Sequence, residues 1–508
     1  MFFYQITNFQ YIVNKNLNIQ LPMETSTLCN TAPITPFVPT ADNLWDVTKA
    51  AHVFRRLSFG SSQSEIDDAL ALTPSDFIDQ LVDQAFSLAP TTTPPWGYWS
   101  LPDFADYDTE NNAYIEAWRT QTGYDMFQNK LRDRLTFFWM NHFVTELDTY
   151  FYSPYMFQYY NINQTHALGN FRDFVRAIGT SGAMLFYLNG FQNTAANPNE
   201  NYARELFELF TLGVDNNYTE EDIQFTAKAL TGWNHWAEVG GAIYFDESTW
   251  NPSVKNIFGQ AGLWKYDDVI DILFQQRSSE IATYICTKLY TFFVSYEVSD
   301  FARTEIIDVM AATFIDNDFE LAPVLKQLFK SEHFFNERAL GVIVKSPFDA
   351  LFSFTKDTEL TIDDTIVNGL IYYAAVLGQE MYEPVDVAGW QGDHDWISSS
   401  TLTGRWQVIE LLSIYILNNY PEDLRNFAIN ISGDSNDPEF ITSVIVDRLM
   451  SKEFYTASDY DVATDIFKGD VPQGYYDDGT WNLYWDTAPA QVAGLLIHLS
   501  KAPEFQLK

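Results

Sequence analysis

A chain of 508 residues is long enough for two or more domains and a large buried core. With 46% hydrophobic and 19% charged residues it is globular rather than disordered. Its net charge of −39, from 68 acidic against 29 basic residues, argues against a polyanionic partner such as nucleic acid and leaves a cation or a neutral polar ligand such as a glycan as the better match.

Residues 1–45 read as an extended N-terminal arm, because Pro33, Pro36 and Pro39 disfavour helix. The first 22 residues have no basic region and no small-residue cleavage site, so they are not a clear signal peptide, and Met23 offers an alternative start. A helical domain is predicted over 46–233. Its dense basic runs are short: Arg55-Arg56, then Lys130, Arg132 and Arg134. Thr73-Pro74-Ser75-Asp76 predicts a helix start, with a Thr cap, Pro at the first position and an acid at the third. Over 124–143, Phe127, Leu131, Leu135, Phe138 and His142 form one helical stripe. Thr219 followed by Glu220, Glu221 and Asp222 caps another helix.

Residues 234–265 carry Gly, Pro and aromatics without a 3.6-residue period and are expected to be an irregular loop insert. A second helical region spans 266–420, with patterns at 266–296 and 302–332 and a loop around Val387-Ala388-Gly389-Trp390. A C-terminal helical region covers 421–508 and ends in a helix near 487–501. The fold class is therefore mostly α: a multi-helix globular fold with long irregular loops and at most a small β-hairpin. No stretch approaches the roughly 18 apolar residues of a membrane span. Cys29 and Cys286 make neither a disulfide framework nor a zinc pattern.

The chemistry concentrates around "PNENYARELFELFTLG" at 198–213. At about 100° per residue, Asn201, Arg204, Glu205, Glu208 and Leu212 share a face, and Tyr202, Leu206, Phe207 and Phe210 cover the other. Glu205 and Glu208, three apart, repel unless a cation, proton, metal or water lies between them. The face is either a solvated one with a Glu200–Arg204 pair, or a carboxylate site suited to glycosidic acid–base work or a hard cation. His142 is either a core histidine with one hydrogen bond or a proton carrier or ligand. Lys288, on the face of Ile281, Ile285 and Phe292, either reaches water or meets a buried carboxylate. Asn189, Gln192 and Asn193 supply amides that bind a ligand or tighten a loop. Trp390, Trp396 and Trp406 either stack on sugars or pack their own loop. There is no P-loop, GxGxxG, HExxH or GxSxG motif. The segment 215–222 lacks the central Gly and final Glu of a calcium loop.

These stretches, with "AAHVFRRLSFG", "LTFFWMNHFVT", "GAMLFYLNGFQNTAANPNENYARELFELFTLGV", "VKSPFDAL" and "LGQEMYEPVDVAGWQGDHDWISSSTL", resemble in order the bacterial domain-of-unknown-function family 1800. The resemblance implies a large, mainly helical, often exported protein, encoded near family-1501 proteins that look like sulfatases or phosphatases, with no established activity. The sequence departs from the pattern at Asn189, where the family shows Asp, and at Trp250-Asn251 before Lys255, where it shows His-Asp.

Two functions follow. One is a binding or assembly protein acting outside the cytoplasm, docking a family-1501 partner or a glycan. The alternative is a carboxylate- or metal-dependent hydrolase using Glu205 and Glu208, with His142 or Lys288 setting a pKa. The sequence specifies neither a metal nor a cofactor. Convergence of Glu205, Glu208 and His142 on one pocket floor would favour the second.

Overall fold

The computed structural model describes residues 31–234, 241 and 243–508. The first 30 residues, with Cys29, and the middle of the 234–265 insert lie outside the described residues. Helices make up 61% of the structure, so the fold is mostly α. Among the described residues the β content is two two-stranded antiparallel sheets at or within the insert: Trp233–Asn234 with Tyr244–Phe245, and Lys255–Ile257 with Gln260–Gly262. No described helix is long and apolar enough to cross a membrane.

Helix starts follow local chemistry. The Thr73 hydroxyl accepts from the Asp76 amide ahead of Pro74–Ser87. Thr219 and Asp222 close a reciprocal capping box on Glu220–Ala229. Ser346 and Asp349 do the same for Pro347–Asp357. Each box satisfies amides that the first helical turn leaves without partners. The described part of the N-terminal arm lies extended on the body: Phe37 is buried and its amide donates to the Lys330 carbonyl.

The stripe predicted over 124–143 is broken. Tyr107–Gln128 and Leu131–His142 are separate helices, joined through Lys130 at φ 47°. The second packs against Val47–Leu57, Pro74–Ser87, Tyr107–Gln128 and Ser153–His166, and 11 of its 12 residues are buried. A helix enclosed on every side needs no polar face. The break turns Arg132 inward, where it pairs with Asp133 and donates to the Ala89 carbonyl.

The C-terminal helices Ser399–Asn419, Pro421–Ser432, Pro438–Leu449 and Ala457–Lys468 gather around Ala488–Leu499. The chain then returns: Leu507 bridges Val344, and the Lys508 amide donates to the Ile343 carbonyl. That return brings Lys508 beside the start of Pro347–Asp357 and closes one wall of a cleft.

Candidate functional site

The 198–213 segment is a short α-helix, Asn201–Glu205, that widens into a π-helical turn, Leu206–Thr211. The wider turn shifts the phase of everything after it. Leu212, expected on the face of Arg204, is therefore fully buried. Arg204 sits among carboxylates: Glu220 at 2.7 Å, Glu208 at 3.3 Å and Glu200 at 3.5 Å. Glu205 is half-buried; burial and the neighbouring Glu208 raise its pKa, and Arg204 opposes them. The carboxylate group is thus balanced by one partly exposed guanidinium.

The end of the π turn leaves carbonyls without helical partners. Tyr284 Oη donates to the Leu209 carbonyl at 2.9 Å, and His142 Nε2 lies 3.0 Å from the Phe210 carbonyl. His142 is buried among Phe138, Trp139, Phe143 and Phe171. Burial and then the charge of Lys288 lower its pKa to about 3, against the bond to Phe210. It is a neutral imidazole holding the end of this segment, and its ring does not share a hydrogen bond with either glutamate.

The amides are placed individually. Asn189, at φ 57°, starts the Gly190–Gln192 turn. Gln192 is exposed. Asn193 is buried, donating to the Ala227 carbonyl and accepting from the Asn199 amide, and so ties its loop to a neighbouring helix. Asn201 is exposed and reaches the Leu188 carbonyl at 3.4 Å. Where the family pattern shows His-Asp, Trp250 carries the Lys255 ammonium 4.1 Å from its ring centroid.

Lys288, Trp390 and Trp396 meet elsewhere, in a cleft of about 250 Å³. One wall is the stripe Arg134, Phe137, Phe138, Asn141 of Leu131–His142; a second is Lys288, Thr291 and Phe292 of Ser278–Phe293. Both stripes follow the i, i+3, i+4 spacing of one helix face. The rest includes Asp349, the 388–396 loop and Lys508. Asn141 clamps that loop: its Oδ1 accepts from the Trp390 amide at 2.7 Å and its Nδ2 donates to the Trp390 carbonyl at 3.0 Å. A Cβ on Gly389, at φ 81°, would fall 2.6 Å from the Asn141 carbonyl oxygen, so only glycine fits. Trp390 is buried and stacks on Phe137 with centroids 5.7 Å apart. Trp396 stays partly open on the cleft wall. Trp406 does not line the cleft.

Charge inside the cleft inverts that of the chain. Arg134, Lys288 and Lys508 line it with Asp349 and Asp393. Both carboxylates are committed. Asp349 meets Arg134 Nη1 and Lys508 Nζ, each at 2.5 Å, and accepts from the Ser346 amide at 3.1 Å. Asp393 accepts from the Val344 amide at 2.8 Å and meets His394. Burial pushes the Asp349 carboxyl up, but Arg134 and Lys508 together hold it far below the ordinary carboxylate range. Arg56 and Arg405 lie behind it, with pKa values lowered by burial to about 9 and about 10 and partly restored by Asp349. Burial alone lowers Lys288, whose ammonium lies 5.5 Å from the Tyr284 ring centroid. Among the described residues no carboxylate comes within 4 Å of it, and no His, Cys, Asp and Glu group is arranged to hold a metal ion.

Sequence reasoning placed Lys288, Trp390 and Trp396 individually but missed Arg134, Asp349 and Lys508. Only the "VKSPFDAL" stretch, with its Ser-x-x-Asp start, signals this corner.

Fold and cleft together define a large, mostly helical protein with a cation-lined cleft at the meeting of the buried helix Leu131–His142, the helix Ser278–Phe293 and a glycine-pinned loop. Residues 52–507 match the family described as "Protein of unknown function (DUF1800)", and the chain belongs to that family. No curated protein and no solved structure matches it.

Proposed function

We propose that this is a binding protein whose ligand site is the cleft between Leu131–His142, Ser278–Phe293 and the 388–396 loop, and that its ligand is the end of a glycan. The observation that carries this reading is the placement of polar groups. Lys288 and Lys508 converge on the cleft with the partly open Trp396, whereas Glu205 and Glu208 stand apart with Arg204. A volume of about 250 Å³ lies just below the roughly 300–1,000 Å³ of small-molecule pockets. It suits one ring or end group rather than a protein surface, which favours a glycan over a sulfatase-like partner. An indole beside fixed polar donors is how such pockets combine apolar contact with orientation.

The hydrolase alternative has weaker support. Its groups would need to lie within hydrogen-bond reach of a shared substrate position, and the His142 ring is enclosed by Phe138, Trp139, Phe143 and Phe171 and hydrogen-bonded to neither glutamate. The reading is tested by titrating the full-length protein with a panel of neutral and acidic oligosaccharides, followed by calorimetry. Saturable binding that Trp396→Ala weakens is expected. Absence of binding across the panel, or binding indifferent to Trp396, overturns it.

A further inference from the structure

We infer that the cleft takes an oxyanion, a carboxylate, sulfate or phosphate group, held between Arg134 and Lys288. This rests on the binding reading above and names the chemistry of the ligand's anchoring group.

Arg134 is a fixed donor. Its guanidinium lies between two phenyl rings, 4.7 Å from the Phe59 centroid and 4.8 Å from that of Phe292. Its Nη1 is taken by Asp349. Its Nε and Nη2 are buried and find no acceptor among the described residues, although Arg134 is only 1% exposed. Leaving guanidinium donors desolvated and unpaired is costly, so buried ones ordinarily have partners. A guanidinium edge also matches an oxyanion in a planar, two-bond fork.

Lys288 faces the same cleft from the opposite helix, partly desolvated and, among the described residues, without a carboxylate partner. The two side-chain carboxylates on the wall already have cations or amides on them. The uncommitted side-chain charge lining the cleft is therefore positive. Arg56 and Arg405 behind Asp349 each carry guanidinium nitrogens without acceptors among the described residues and add to the positive field. An anion completes this arrangement; a neutral end group leaves the Arg134 donors bare.

The test uses the full-length protein at fixed ionic strength, with inorganic sulfate, inorganic phosphate and acetate compared with chloride. Saturable thermal stabilisation by at least one oxyanion is expected, and calorimetry should give one site. Lys288→Met should melt at or above the parent in chloride, because it removes a desolvated, unpaired ammonium, yet bind the oxyanion at least tenfold more weakly. Arg134→Lys keeps a charge for Asp349 but loses the fork, and should also weaken binding at least tenfold. A uronic or sulfated monosaccharide that binds at least tenfold tighter than the inorganic ion assigns the group to a glycan; equal affinity assigns it to the free ion. Oxyanions no better than chloride, or undiminished binding by Lys288→Met, overturn the inference. If neutral oligosaccharides bind while oxyanions neither bind nor compete, this inference fails and the binding reading survives. If nothing binds, both fail.

Discussion

Asp349→Asn is the most informative perturbation of the interior. The carboxylate accepts from Arg134, Lys508 and the Ser346 amide at the start of its own helix. Asparagine keeps the shape and one acceptor oxygen, but its amide nitrogen then faces a cation. Breaking a buried ion pair by removing one partner costs about 3–5 kcal/mol, and loss of a negative charge in the first helical turn adds up to about 1 kcal/mol. The expected loss is about 4 kcal/mol, a large part of the roughly 5–15 kcal/mol that holds a typical protein folded. The pH sign agrees: a carboxyl held far below its unfolded value stabilises the fold above about pH 4 and is lost only as acid protonates it. The assay is equilibrium urea unfolding, followed by circular dichroism and tryptophan fluorescence to check that the transitions coincide. Adding Lys508→Met to Asp349→Asn should recover roughly 1–2 kcal/mol, because it removes one of the stranded cations. A loss below about 1 kcal/mol for Asp349→Asn alone would refute the claim that this carboxylate balances the buried cations.

The carboxylate group on the 198–213 segment should behave in the opposite way. Glu205→Ala with Glu208→Ala leaves Arg204 its Glu220 and Glu200 partners, so unfolding free energy should fall by less than about 1 kcal/mol; a loss of several would show a buried network instead. Lys345 is buried, with its pKa lowered to about 7 by burial and by Arg55. The unfolded chain then binds more protons between pH 7 and about 10, so stability rises with pH in that window. Lys345→Met should remove about 2 kcal/mol of the rise between pH 7 and pH 9, and equal pH slopes in urea unfolding of parent and variant would contradict this. For His142, whose folded pKa lies near 3, stability is full above about pH 6.5 and declines as pH falls toward 3. His142→Gln should flatten the acid limb by about 2 kcal/mol between pH 6.5 and 4.5; an unchanged limb would mean that the ring is not buried as a neutral base.

What could be read from the sequence was local. Thr73 and Thr219 announced their helices because capping depends on neighbours in the chain. The 124–143 stripe misled because Leu131–His142 is enclosed on all sides, so periodicity has no solvent face to report. The face of Glu205 and Glu208 was drawn at 100° per residue, and the π turn shifts the phase from Leu206 onward, which is why Leu212 turns inward. The cleft as an assembly was not legible, although Lys288, Trp390 and Trp396 stood out one by one. Arg134, Lys288, Asp349 and Lys508 come from four distant parts of the chain, and only the return of the last residues onto Val344 brings them together.

The exclusion drawn from net charge and the cation-lined cleft are two sides of one arrangement. Of the short basic runs, Arg55, Arg56, Arg132 and Arg134 are buried and Lys130 is partly exposed. The chain as a whole carries an excess of 39 negative charges. Long-range fields act on a ligand in proportion to its charge and are screened beyond about 8 Å at physiological ionic strength. Repulsion of that kind grows with the number of charges on a ligand, so a polyanion would be opposed more strongly than a single oxyanion. On the proposed reading, an oxyanion would meet low-dielectric walls and a fixed guanidinium at short range once inside the cleft. Whole-chain charge would then act on the size of an anion, and the interior on its chemistry. A balance of acidic and basic residues read from composition reports only the first.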